Sequence, residues 1–124
     1  MRKCLVIDSS RAGRKAIRRI VGSLCFTCLE ADDSTKALEI CSKEKPDVVL
    51  LDWGVKGMGA ADFIAALRAS PGGEKPEVIF CTVEGDEVHI RKALEAGADE
   101  YIVKPFDHEM IEKAFIKADL IHKK

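Results

Sequence analysis

Five short apolar runs alternate with five amphipathic stretches along this 124-residue chain, and that alternation restricts the fold more than any other feature. Cys4–Ile7, Thr27–Ala31, Val48–Leu51, Val78–Cys81 and Tyr101–Val103 are short runs rich in Val, Ile, Leu or Cys, as parallel strands covered on both faces are. Arg11–Leu24, Ser34–Lys43, Ala61–Ser70, Glu87–Ala96 and His108–His122 carry apolar residues at helical spacing. The punctuation agrees. Ser10, Ser34, Asp86 and Asp107 stand where helix caps belong, Gly97 stands where a helix should stop, and Pro46, Pro71 and Pro76 fall between elements.

Strict βα alternation implies right-handed crossovers with helices on both faces of one sheet. The predicted architecture is α/β, doubly wound and flavodoxin-like, a (βα)5 sandwich with five parallel strands in the order 2-1-3-4-5. At 13.6 kDa, with no internal repeat, low-complexity segment or linker, residues 1–124 are expected to form one domain. In this order the first and third strands are neighbours at the switch point, where ligands collect outside the strands' carboxyl ends. Asp8 follows the first strand, Asp52 the third and Lys104 the fifth, with Thr82 on the same rim. Two carboxylates and an ammonium so placed suggest a magnesium and phosphoryl site.

Composition excludes some classes. With 20 Lys+Arg against 21 Asp+Glu the net charge is −1, which gives no general attraction to nucleic acid or an anionic membrane. Met1-Arg2-Lys3 leads directly into a strand, so neither a signal peptide nor a membrane span is expected, and a cytoplasmic protein is the default. Five cysteines, Cys4, Cys25, Cys28, Cys41 and Cys81, read as small hydrophobes in a reducing compartment. Cys25 and Cys28 have a redox-like spacing, but the pair ends a helix and enters a strand, whereas a reactive thiol sits at a helix amino terminus.

The segments Ile7-Asp8-Ser9-Ser10, Leu51-Asp52-Trp53, Cys81-Thr82-Val83-Glu84 and Ala96-Gly97-Ala98-Asp99-Glu100-Tyr101-Ile102-Val103-Lys104-Pro105-Phe106 resemble those of response-regulator receiver domains, the CheY-like family, in order and over nearly the whole chain. The resemblance implies a single-domain response regulator of two-component or phosphorelay signalling, with no output domain and no turnover activity. A histidine kinase or phosphotransfer protein would pass a phosphoryl group to Asp52 in the presence of Mg2+. Asp8, Asp52 and the Gly54 backbone carbonyl would hold the metal, while Lys104 and Thr82 would meet phosphoryl oxygens. Tyr101 matches the aromatic switch position and Thr82 its partner, which implies a downstream protein target reading the face of helix 4, strand 5 and helix 5. The family uses a cis Lys-Pro peptide to aim the lysine inward, and Phe106 is expected to pack beside Pro105.

The chain also departs from that pattern. Receivers usually carry two adjacent acids after strand one, but Ser9 follows Asp8. One negative charge is lost, so weaker magnesium binding is expected, with Ser9 holding a metal-bound water. The loop Trp53-Gly54-Val55-Lys56-Gly57-Met58-Gly59-Ala60 lacks the usual proline at Lys56 and the Asp-Gly pair at Gly59-Ala60; its three glycines predict mobility. Val83 replaces a smaller residue and is expected to narrow access. These changes keep open a degenerate receiver that binds a protein or ligand without phosphorylation. A phosphatase of the haloacid-dehalogenase type would need a second Asp at Gly54, and the Asp8–Gly13 loop lacks a glycine-rich cradle for a nucleotide. Arg11, Arg14, Lys15, Arg18 and Arg19 make the first helix basic, either a solvated face or a contact for an acidic partner or anionic ligand; no aromatic residues interleave to stack nucleic-acid bases.

Overall fold

The computed structural model describes residues 2–121, as β1 (Lys3–Ile7), α1 (Arg11–Ser23), β2 (Thr27–Ala31), α2 (Ser34–Glu44), β3 (Val48–Asp52), α3 (Ala60–Ala69), β4 (Glu77–Val83), α4 (Glu87–Ala96), β5 (Glu100–Lys104) and α5 (His108–Lys117). The five strands are parallel in the order β2-β1-β3-β4-β5, as the alternation predicts.

The central strands alternate between two cores. Cys4, Val6, Val48, Leu50, Ile79 and Cys81 face α1 and α5, meeting Ile17, Val21, Ile111 and Phe115. Leu5, Ile7, Val49, Leu51, Val78 and Phe80 face α2, α3 and α4, meeting Ala37, Phe63, Ile64, Leu67 and Ala93. Every one of these strand residues is buried, so both faces need apolar side chains and the runs read as continuous rather than alternating. Phe26 and Phe115 close the first core edge to face, with ring centroids 5.0 Å apart. Phe106 packs against the same core, as expected.

The strands extend further than their apolar runs. β1 begins at Lys3, β3 includes Asp52, β4 runs from Glu77 to Val83 and β5 ends on Lys104. Asp52, Thr82 and Lys104 are therefore held in the backbone ladder itself rather than on loops beyond it.

Helix ends account for the remaining differences. α5 stops at Lys117 rather than continuing to His122, which lies outside the described residues. Asp119 takes a left-handed conformation (φ 61°), and the Asp119 and Leu120 amides donate to the Ile116 and Phe115 carbonyls. This Schellman closure turns Leu120 back toward the core. α1 ends the same way at Cys25 (φ 68°), with Phe26 N–H donating to Val21 O, so Cys25 is exposed in a cap rather than buried. All five cysteines are free; burial lifts the Cys4, Cys28 and Cys81 thiols and carries Cys41 to about 11, so none of these four is poised as a thiolate.

Ser10 and Asp107 cap α1 and α5 as predicted, accepting from the Gly13 and Met110 amides. Ser34 does not cap α2. Asp33 does, accepting from Lys36 N, while Ser34 is buried and its hydroxyl faces the Lys56 and Met58 carbonyls. Asp86 occupies the cap position of α4 but makes no side-chain cap bond, because its carboxylate is engaged elsewhere.

Candidate functional site

The strand order brings Asp8, Asp52 and Lys104 together at the carboxyl end of the sheet. Asp52 pairs with Cys81 and Cys81 with Ile102, so Lys104, two residues further along β5, reaches back across the end of β4. Its ammonium lies 2.5 Å from Asp52 Oδ1 and 3.3 Å from Asp8 Oδ2. The Lys104–Pro105 peptide that follows is cis.

Each carboxylate is fixed on its other oxygen. Asp8 Oδ1 accepts from Ser10 N at 2.8 Å, and Asp52 Oδ2 accepts from Gly54 N at 3.1 Å. Both residues are almost wholly buried, at 2% and 8% exposure. Asp52 Oδ1 is sealed from solvent and accepts no aligned hydrogen bond; it has only the close ammonium. A buried carboxylate oxygen met only by one ammonium keeps lone-pair capacity for a further cation or phosphoryl group, which is the property a reacting oxygen needs. Behind Asp8, α1 approaches so closely that a β-carbon on Gly13 would lie 2.8 Å from Asp8 Oδ2. Burial alone would lower the Lys104 pKa, but its close pairing with Asp52, helped by Asp8, carries it above the ordinary lysine value.

Thr82 is fully buried one residue beyond the Asp52–Cys81 rung. Its hydroxyl donates not toward Asp52 but to Asp86 Oδ2 at the start of α4. Asp86 Oδ1 in turn lies 2.5 Å from His89 Nδ1, and the His89 ring stands 6.2 Å from that of Trp53, the residue after Asp52. Partial burial pushes the Asp86 carboxyl up, yet hydrogen bonds from Thr82 and His89 hold it below the usual carboxylate range. Asp86 and His89 were not among the sequence candidates; the spacing of Thr82 and Asp86 across the Gly85 turn was the available signal. Tyr101 points outward at 41% exposure, and Val83 is exposed at the rim beside Lys104.

Ser9 does not face the carboxylates. Its hydroxyl accepts from Lys56 N at 3.0 Å and lies 3.4 Å from Asp32 O. The loop after β3 makes further hydrogen bonds to the start of α2: Lys56 O accepts from Ser34 N at 2.9 Å, and Met58 O from the Ser34 hydroxyl at 2.7 Å. The basic helix is partly neutralised within the chain. Arg14 and Arg18 both pair with Glu30, and Arg14 also donates to Asp8 O at 2.6 Å, while Arg11, Lys15 and Arg19 are exposed.

Among the described residues no cluster of three His, Cys, Asp or Glu side chains could hold a metal. Asp8 and Asp52 bring a smaller set of hard oxygens together, to which the resemblance adds the Gly54 carbonyl. Such a set fits magnesium, which keeps several of its waters and needs only one or two carboxylates.

Known proteins are similar to this chain in sequence and fold. The response regulator receiver domain family matches residues 4–116. The chemotaxis protein CheY of Pseudomonas aeruginosa is 35% identical over 118 residues, covering 91% of this chain and 95% of that protein. Among solved structures, chemotaxis response regulator CheY4 of Vibrio cholerae superposes with a TM-score of 0.88 at 24% identity, over 94% of this chain and 98% of that one. The receiver domain of sensor histidine kinase PA1611 from Pseudomonas aeruginosa, with magnesium coordinated in its active site cleft, gives 0.86 at 18% identity, over 94% and 95%. Those structures share the fold, and the family match across almost the whole chain makes this protein a CheY-like response regulator receiver domain of two-component signalling.

Proposed function

We propose that Asp52 accepts a phosphoryl group from the phosphohistidine of a histidine kinase or phosphotransfer protein. The observation that carries this reading is the buried Asp52 Oδ1, which has no aligned hydrogen bond and faces the Lys104 ammonium at 2.5 Å. Asp52 needs no general base. Its oxygen bonds to phosphorus as the P–N bond breaks, and the imidazole leaves with the bonding pair. Asp8, Asp52 and the Gly54 carbonyl would hold magnesium, whose charge offsets the repulsion between carboxylate and phosphoryl group. With Ser9 in place of an acid, that metal set has one anion fewer, and weaker magnesium binding follows. Lys104 would pair with a phosphoryl oxygen, acting by position and charge.

A threonine hydroxyl carries one proton, so Thr82 cannot donate to Asp86 and to a phosphoryl oxygen at once. Phosphorylation would draw Thr82 off Asp86 and make room for Tyr101 to turn inward, freeing Asp86 to cap α4. The exposed Leu94, Tyr101 and Met110 on α4, β5 and α5 would form the face a downstream protein reads. Accordingly, Asp86→Ala is expected to tighten binding of beryllofluoride, a phosphoryl mimic, about tenfold by removing a competing bond to a charged acceptor. Fluorescence of Trp53, the single tryptophan, reports that binding; unchanged or weaker binding would oppose the role.

The protein on this reading is a cytoplasmic signalling switch and not a turnover enzyme. Intact mass after incubation with acetyl phosphate tests it, with and without magnesium. The wild type is expected to gain one phosphoryl group in a metal-dependent way and Asp52→Asn none. Lack of an adduct, even with a histidine-kinase donor, would favour the second reading, a phosphorylation-independent binding module, which the engagement of Ser9 with the loop rather than the metal site supports.

A further inference from the structure

We propose that Ser9 is a positioning residue that braces the acceptor loop, doing by hydrogen bonding what a shared cation would otherwise have to do. The inference rests on the reading of Asp52 as phosphoacceptor and adds how this chain organises that site. Asp8 lies on the segment after β1, Asp52 is the last residue of β3 and Gly54 lies on the segment that follows it. A cation shared by their oxygens would join the two segments. Ser9 already joins them through its bond from Lys56 N.

The two departures noted in this region are one feature. A proline at position 56 has no N–H to donate, whereas Lys56 supplies one. A carboxylate at position 9 would add the charge that attracts a cation, whereas a hydroxyl can accept from the Lys56 amide without it. Lys56 is then held on both sides: its N–H by Ser9, its carbonyl by Ser34 N and the Ser34 hydroxyl, within a bridge to Asp33. Gly57, at φ 92°, lets the chain pass Ser34 so closely that a β-carbon there would sit 2.7 Å from its hydroxyl. The loop carrying Gly54 is thus fastened to the β1–α1 turn and to the start of α2 by bonds that involve no metal. Magnesium is left to serve the transfer, not the order of the loop.

Amide hydrogen exchange on the full chain tests this with a readout other than activity. In the wild type, Lys56 is expected to show the same protection in EDTA as in saturating magnesium, within about twofold. Ser9→Ala should raise its exchange roughly five- to tenfold in EDTA, the factor of one net hydrogen bond, with magnesium recovering part of the loss. Ser9→Thr, which keeps a hydroxyl, should retain protection. Wild-type protection that appears only on adding magnesium would overturn the proposal and needs no variant. Equal protection in Ser9→Ala would overturn it as well. The acceptor reading fails separately: protection as expected with no phosphoryl adduct on Asp52 would leave the brace standing and remove phosphorylation.

Discussion

Lys104→Ala is expected to slow phosphoryl uptake at Asp52 about a hundredfold or more, the scale of losing one preorganised charge-stabilising donor. Its ammonium is the cation that contacts both site carboxylates, at 2.5 and 3.3 Å, and it approaches Asp52 at the oxygen that has no aligned hydrogen bond. Removing it leaves two buried carboxylates facing the incoming phosphoryl group with less opposing charge. Lys104→Arg should recover little, because a planar fork cannot occupy the position of a compact ammonium between two oxygens. The pH dependence has a definite sign. The folded-state pKa of Lys104 lies above the ordinary lysine value, so the stabilisation from its pairing is complete below about 10.4, the ordinary lysine value, and is lost as pH rises through the raised folded value. Across neutral pH, uptake should therefore be flat as far as Lys104 is concerned. Time-resolved intact mass measures the rates; a Lys104→Ala rate within threefold of wild type would show that the metal and Thr82 suffice.

The fold and the three charged site residues were legible in the sequence because both follow from strand burial. Strands covered on both faces must be apolar throughout, so a polar residue at the run's end marks the sheet rim, which is where Asp8, Asp52 and Lys104 stand. What lay beyond reach came from backbone conformation and long-range pairing. α4 ends at Gly97, whose left-handed conformation glycine advertises, but α1 and α5 end through the same kind of closure at Cys25 and Asp119, which advertise nothing. In Asp32-Asp33-Ser34 three residues can cap a helix, and only the packing of Ser34 under the acceptor loop decides for Asp33. The Ser9–Lys56 bond joins residues 47 positions apart, and neither residue type implies the other. The hydroxyl of Thr82 was expected to serve a phosphoryl oxygen; its engagement with Asp86 depends on how the Gly85 turn starts α4.

The largest effect on stability is expected at Arg68, a residue that no pattern marked. All five of its N–H donors are used: Nε and Nη2 on Gly97 O at 3.0 and 2.8 Å, Nη1 on Gly73 O and Pro76 O at 2.8 and 2.7 Å, and Nη2 on Asp99 Oδ2 at 2.8 Å. One guanidinium thus fastens α3 to the loop before β4, the end of α4 and the entry to β5. It also gives the Gly97-Ala98-Asp99 segment a physical reason. A β-carbon on Gly97 would lie 2.9 Å from Arg68 Cγ, and Asp99 shares its Oδ2 with the Val78 amide at 2.9 Å. Arg68→Met keeps the aliphatic stem but strips the donors from three carbonyls and a carboxylate. The expected loss is about 3 kcal/mol, from hydrogen bonds to a charged group and the desolvated partners left behind, against a total of roughly 5–15 kcal/mol for a domain. Arg68→Lys, with three donors on a point charge, should recover less than half. Urea denaturation reads both, and a loss under 1 kcal/mol for the methionine variant would mean that water replaces the guanidinium. Arg68 reaches β5 at its entry while Lys104 lies at its exit, so molecules of the variant that remain folded should take up phosphoryl at the wild-type rate. A slower rate in that folded fraction would instead couple this junction to the site.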